Sequence, residues 1–266
     1  MCGVLDKVKK DFTRRVFELM AVQSKSEPEA RSEATKQFYE LRWGPTKIPI
    51  YNLVLVGTVL ATWYRERQMK LMRWLIDEAK VPVDGIDISG AQTIHHAISC
   101  VPVFDAQFAQ MLYDAGGDVN HRDRYGCTAM HEALQIHDGR SADAVRRQKD
   151  ALVWYLEHGG NMDIKDNDGN RVRDVLKNSY KIWYLGGHFH TLELVEIVED
   201  EDRRRRALAD RCCAFCGREP DNASTLLVCS QCNGSRYCSP PRQCQAGDWP
   251  HHKPSCRKIQ SRGGGV

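Results

Sequence analysis

Long apolar runs are missing from this 266-residue chain. The longest, Ile48 to Trp63, is broken by Pro49, Asn52, Gly57 and two threonines and is shorter than the roughly 20 residues a bilayer span needs, so it reads as a buried helix. No secretory leader is expected either, because Met1-Cys2-Gly3-Val4 opens a charged, amphipathic segment without an apolar core or cleavage site. Aromatic residues make up only 8% of the chain, and Phe215, Tyr237 and Trp249 are the few interleaved with the basic C-terminal region, too thin a set for a base-stacking surface. Acidic residues are scarce there too: residues 203–266 hold 12 Lys/Arg and 4 Asp/Glu, whereas the rest of the chain is net acidic. A tail of that charge permits weak nucleic-acid contact without requiring it. These absences point to an intracellular protein, in cytoplasm, nucleus or both. There thiols stay reduced, and clustered cysteines bind metal more often than they form disulfides.

Cysteine, by contrast, is concentrated: of 11 in the chain, eight lie between Cys212 and Cys256. The run reads Cys213-x2-Cys216, Cys229-x2-Cys232, Cys238-x5-Cys244, then His252-x3-Cys256. These eight ligands suffice for two closed tetrahedral zinc sites, which leave no open position for an activated water and so build a shape rather than a catalyst. Cys212 and His251 are adjacent stand-ins with poorer spacing.

Upstream the chain repeats itself. Gly90-Ala91-Gln92-Thr93-Ile94-His95-His96-Ala97 is echoed by Gly126-Cys127-Thr128-Ala129-Met130-His131-Glu132-Ala133 and weakly by Gly169-Asn170-Arg171-Val172. Met111–Asn120, ending Ala115-Gly116-Gly117-Asp118-Val119-Asn120, parallels Trp154–Asp163. Thr128 is placed to N-cap a helix, His131 reads as structural, and Gly116 and Gly159 can end helices in a left-handed conformation. These phrases resemble ankyrin repeats, which implies a mainly α fold: a helical solenoid over residues 45–178 with degenerate first and last units. The excess length of the second interval falls in Ile136–Arg147, expected as a loop. Concave-groove and turn-tip binding surfaces follow from the resemblance, the tips lying near His121–Arg124 and Lys165–Asn167. Residues 1–44 read as helices padding the stack, with Leu5, Val8, Phe12, Val16 and Leu19 at helical spacing.

Residues 179–210 read as a linker ending in a charged helix. Each acid of Glu199–Asp202 stands four residues before an arginine of Arg203–Arg206, so a solvated spacer with local ion pairs is favoured over a nuclear-import signal.

From Cys213 to Cys256 the chain resembles a MYND-type zinc finger, carried by Arg236-Tyr237-Cys238-Ser239 and by Cys244-Gln245-Ala246-Gly247-Asp248-Trp249-Pro250-His251-His252-Lys253. A small cross-braced module is expected at 211–258, followed by a flexible tail at 259–266. The resemblance implies interleaved binding of two Zn2+: Cys213, Cys216, Cys238 and Cys244 on one ion, Cys229, Cys232, His252 and Cys256 on the other. Pro240-Pro241 lengthens the third cysteine pair relative to the family pattern. The resemblance also implies a groove for proline-rich peptides, commonly with a Pro-x-Leu core, at Ser230, Gln245 and Trp249. The chain is therefore expected to be a non-enzymatic adaptor whose repeats bind one protein partner and whose finger binds a proline-rich motif, with a role in transcriptional co-regulation. Two alternatives belong to other classes. An enzyme-associated role would follow from MYND fingers inside SET-domain methyltransferases or from ubiquitin-ligase modules. Neither the Asn-His motif nor the Tyr-bearing Gly-Glu-Glu segment expected of the former is recognised, nor is there room for the domain, and the Asp-Trp-x-x-His-Lys ending argues against the latter. The other alternative is nucleic-acid binding through the basic region. No membrane partner is expected.

Overall fold

A computed structural model describes residues 4–99, 104–135, 140–187, 191–220, 226–238 and 244–262. Pro240-Pro241, residues 136–139 of the expected loop and residues 263–266 of the expected tail lie outside the described residues, whereas residues 142–147 of that loop and 259–262 of that tail are helical, contrary to expectation. The fold is mainly α. In order come α1 (Val4–Gln23), α2 (Glu27–Glu40), α3 (Ile50–Leu60), α4 (Arg65–Asp77), α5 (Thr93–Ser99), α6 (Ala106–Asp114), α7 (Ala129–Ala133), α8 (Ala142–Glu157), α9 (Val172–Leu185) and α10 (Leu192–Leu208). A two-stranded antiparallel hairpin, β1 (Leu227–Val228) with β2 (Arg236–Tyr237), and α11 (Cys244–Arg262) complete the chain. No described helix is long and apolar enough to cross a membrane. Two compact units form, Met1–Ala133 with Lys165–Gly169, and Leu134–Ile164 with Asn170–Val266.

The first unit is a stack of turns and helix pairs. Each turn is closed by an aspartate three residues before a glycine. Asp87 Oδ1 accepts the amides of Ser89 (2.8 Å) and Ala91 (3.2 Å), and Asp123 Oδ1 accepts those of Tyr125 and Cys127, both at 2.8 Å. Asp166 Oδ1 accepts Asp168 N at 3.0 Å. The glycines that follow, Gly90, Gly126 and Gly169, all take positive φ (81°, 80° and 87°), where a Cβ would be strained. A backbone ladder ties turn to turn: Ile88 N donates to Thr46 O, Arg124 N to Ser89 O and Asn167 N to Tyr125 O, each at 2.9 Å. Four turns are thus linked among the described residues. This is the arrangement the two glycine-led phrases predicted, with a degenerate first unit whose turn is at Thr46.

The buried side chains follow the expected periodicities. Phe12 of α1 meets Phe38 of α2 and Trp74 of α4 edge-on, at centroid distances of 5.2 and 5.5 Å, so the N-terminal helices cover the outer face of the first helix pair. Thr128 is fully buried at the start of α7, and its amide donates to His131 Nδ1 at 3.0 Å. His131 is therefore a buried structural histidine, as read from the sequence. The Ile48–Trp63 stretch differs from its reading as a buried helix. Ile50, Val54 and Leu55 of α3 are buried, whereas Leu53, Val56 and Leu60 face solvent. α3 packs against α4 and α5 along one side and leaves the other to solvent, and its composition did not reveal which side that would be.

In the second unit, α9 runs on to Leu185, past residue 178, and α10 packs against it and against α8. The buried residues of α10 are Leu194 and Val198, while Leu192 is exposed. α10 thus has the packed place of a second repeat helix, not that of a solvated spacer.

Candidate metal centres and finger surface

The finger's ligands come from three kinds of local structure. Cys213 and Cys216 flank a tight turn in which Gly217 N donates to Cys213 O at 2.8 Å. Cys229 and Cys232 flank a second, closed by Asn233 N on Cys229 O at 2.9 Å. Cys238 follows β2, and Cys244, His252 and Cys256 lie on α11, with His252 and Cys256 one turn apart on a single face. Pro250 and Pro254 interrupt the hydrogen bonding of α11 but stand two residues away from those ligands, on the opposite side of the helix.

The side chains converge as two groups of four. The ligand atoms of Cys213, Cys216, Cys238 and Cys244 all lie within 4.8 Å of one another, as do those of Cys229, Cys232, His252 and Cys256. Tetrahedral Zn2+ with Zn–S near 2.3 Å sets sulfurs about 3.8 Å apart, and a nitrogen ligand slightly closer. Cys216 and Cys238 sulfurs are 3.5 Å apart, and those of Cys229 and Cys256 are 4.0 Å apart. His252 Nε2 is 3.4 Å from Cys232 Sγ and 3.3 Å from Cys229 Sγ. The donor sets and their spacing fit two zinc ions. Each set fills four positions, which closes the coordination shell. Cys244 joins its group despite the longer Cys238–Cys244 interval. The stand-ins do not join: Cys212 Sγ turns to Ala209 O at 3.6 Å, and His251 is exposed.

Electrostatics favour anionic sulfur at the centre of each group. Cys213 is held far below the ordinary thiol range by hydrogen bonds from the Cys216, Cys238 and Cys244 thiols, while Cys216 and Cys244 are pushed up by the same sharing. Burial works against ionisation of Cys229, but the amides of Cys232 and Gln231 and the ring of His252 bring it down to about 6. An ion between the sulfurs takes the place of those shared protons.

A supporting layer was not legible from ligand spacing. Ser235 Oγ lies 3.2 Å from His252 Nδ1, which fixes the ring with Nε2 toward the sulfurs. Tyr237 is fully buried, stands edge-on to His252 and donates its hydroxyl to Asp248 Oδ2 at 2.7 Å. Phe215 lies on Gly247, where a Cβ would come within 2.8 Å of its ring. Phe215, Leu226, Tyr237 and the ligands form a small buried cluster that also takes in Ile164, from the turn after α8. The first knuckle is bound to that turn and to α10. Arg218 donates to His158 O at 2.9 Å, Arg205 to Gly160 O at 3.0 Å and to Phe215 O at 3.4 Å, and Arg204 to Gly217 O at 2.7 Å.

This binding changes the reading of the charged block. Of the four expected pairs only Glu201/Arg205 forms at four-residue spacing. Arg203 pairs with Asp200, Arg204 with Glu201, and Asp202 with Arg173. Arg204 and Arg205 turn toward nearby carbonyls that no local pattern could predict.

Of the expected peptide-groove residues, Ser230 and Gln245 are exposed and Trp249 is half-buried. Gln245 and Trp249 share a face of α11 one turn apart. Trp249 lies 6.1 Å from His252, and Ser230 adjoins Cys229, so both flank the second ligand group. The sequence does contain an Asn-His pair, Asn120-His121, contrary to the expectation that no such methyltransferase motif is present, but it is part of a repeat turn, with Asn120 N on Asp118 Oδ1 and His121 Nε2 2.8 Å from Gly90 O.

The family model described as the MYND finger matches residues 213–256. Among solved structures, the chain is similar to an ankyrin repeat domain from Acinetobacter baumannii, with 14% identity, a TM-score of 0.41, and coverage of 70% of this chain and 93% of that one. It is also similar to a second ankyrin repeat protein, with 12% identity, a TM-score of 0.30, and coverage of 68% of this chain and 96% of that one. Residues 213–256 are thus matched by the MYND finger model, and the two groups of four donors within them fit two zinc ions.

Proposed function

We propose that the finger is a reader of proline-rich peptides and that the chain is a non-catalytic, intracellular adaptor joining such a peptide to a second protein held by the repeats. The observation that carries the reading is the exposure of Ser230 and Gln245 beside a half-buried Trp249 at the second ligand group. Proline-rich segments are preorganised in polyproline II form and dock on aromatic surfaces with little loss of entropy. β1 adds exposed Leu227 and Val228 on a strand paired only with β2 among the described residues, which suits an extended apolar ligand. Two closed donor sets leave no metal-bound water for hydrolytic chemistry. A role in transcriptional co-regulation is part of the same proposal.

The test is binding of a proline-rich peptide containing a Pro-x-Leu core to the full chain and to Trp249→Ala. An aromatic anchor of this kind contributes about 2 kcal/mol or more, so affinity is expected to fall roughly thirtyfold while two zinc ions per chain are retained. Unchanged affinity with both ions present would place the peptide site elsewhere.

A further inference from the structure

The two ligand groups differ in what surrounds them. The second, Cys229/Cys232/His252/Cys256, is supported by the finger's own Ser235 and Tyr237. The first, Cys213/Cys216/Cys238/Cys244, is built on a knuckle whose carbonyls are occupied by arginines from α10. Arg205 reaches Phe215 O and Cys216 O from one side and Gly160 O from the other. Its side chain is only 21% exposed and is held by Glu201. Gly217 lies against the guanidinium so closely that a Cβ would fall 2.5 Å from its Cζ. Arg204 takes Gly217 O and shares Glu201. On the other side of the knuckle a Cβ at Gly159 would lie 3.1 Å from Cys216 Cβ. Three backbone carbonyls at residues 215, 216 and 217 therefore converge on two arginines, and they do so only while the knuckle keeps its turn.

We propose that Arg204, Arg205 and Glu201 form a latch that fastens the first zinc knuckle to the turn after α8, so that the ion of the first group, and not that of the second, sets the stability of α10 and of residues 158–164. The physical reason is geometric. Without its ion the Cys-x2-Cys turn keeps only a few backbone bonds, such as Gly217 N to Cys213 O, to aim those carbonyls together, and a small zinc module takes its folding free energy from the metal. Arginine suits the role because its planar fork holds several donors in a fixed array that can bridge acceptors on separate segments at once. The inference rests on the two-zinc finger and not on peptide binding, so either can fail without the other.

Hydrogen exchange on the full chain, read by mass spectrometry, separates the groups. Cys238→Ser removes a ligand of the first group without touching the turn after α8, and Cys256→Ser does the same for the second. The first variant is expected to speed exchange across 158–164 and 192–211 about tenfold or more, whereas the second leaves those segments within about twofold of the parent. Arg205→Gln keeps every ligand. It is expected to retain two zinc ions by elemental analysis while exchange at 158–164 and 213–218 rises. Equal rises in the two cysteine variants, or unchanged exchange in Arg205→Gln, would overturn the latch.

Discussion

In the repeat turns an aspartate carboxylate gathers the amides that follow it, as Asp123 does for Tyr125 and Cys127. In the second knuckle a sulfur does the same for the amides of Gln231 and Cys232. The turns look alike, but their completion differs. A carboxylate that accepts two amides is satisfied, and the turn needs only its neighbour through a bond such as Arg124 N to Ser89 O. Four sulfurs drawn within 4.8 Å are not satisfied until a cation replaces the protons they share. Stability in the repeats therefore accumulates over many small contributions, whereas the finger depends on two ions.

Removing the metal tests that difference most strongly. Structural zinc in small fingers contributes about 10–16 kcal/mol of apparent binding free energy, so a chelator is expected to abolish exchange protection across 213–256. Residues 4–99 are expected to stay within about twofold of their loaded values. A collapse of protection in both regions would show that the repeats also depend on the ions.

A smaller effect is expected when a repeat turn is broken instead. Gly126 has φ +80°, and a Cβ there would lie 2.8 Å from the backbone nitrogen of Asn167 in the next turn. Gly126→Ala combines left-handed strain with a clash against backbone and is expected to cost about 3 kcal/mol, read as a lower urea midpoint with two zinc ions retained. Gly116 has φ +98° and nothing within 4 Å of a Cβ, so Gly116→Ala is expected to cost only the strain, about 1 kcal/mol. Equal losses would mean that the ladder between turns adds nothing.

The same contrast explains what could be read from the sequence. The eight ligands were legible because few residue types bind zinc and their spacing is narrow, and the structure brings the two expected sets of four together. The repeat glycines were legible because positive φ restricts the choice of residue. Asp87, Asp123 and Asp166 were passed over, since an aspartate three residues before a glycine is common in any turn. Ser235 was passed over, and Tyr237 was read only as part of the family phrase, because their roles depend on the facing helix. α10 was misread for a related reason. Its acids and arginines satisfy a local pairing rule, and only the folded chain brings Gly160 and the 215–217 carbonyls within reach of Arg204 and Arg205.

Charge also serves the repeats, at residues that are not metal ligands. Asp105 caps α6 by accepting Phe108 N at 3.0 Å and holds Arg65 of α4 through both carboxylate oxygens, one at 2.8 Å. Burial pushes its carboxyl up, but Arg65 and the Phe108 amide outweigh that and leave it below its ordinary value. Because the folded value is the lower one, the stabilisation is fully present above the unfolded value near ~3.9 and is lost as pH falls through the folded value. Asp105→Asn keeps a capping side chain but removes the charge. At neutral pH it is expected to lower protection of residues 106–114 by about 1–2 kcal/mol. The gap between parent and variant should then narrow as pH falls below about 4, where the unfolded parent takes up a proton, and close as pH falls through the lower folded value. A gap that stays constant with pH would assign the effect to cap geometry and leave the Arg65 pair without a net contribution, as many half-exposed ion pairs are.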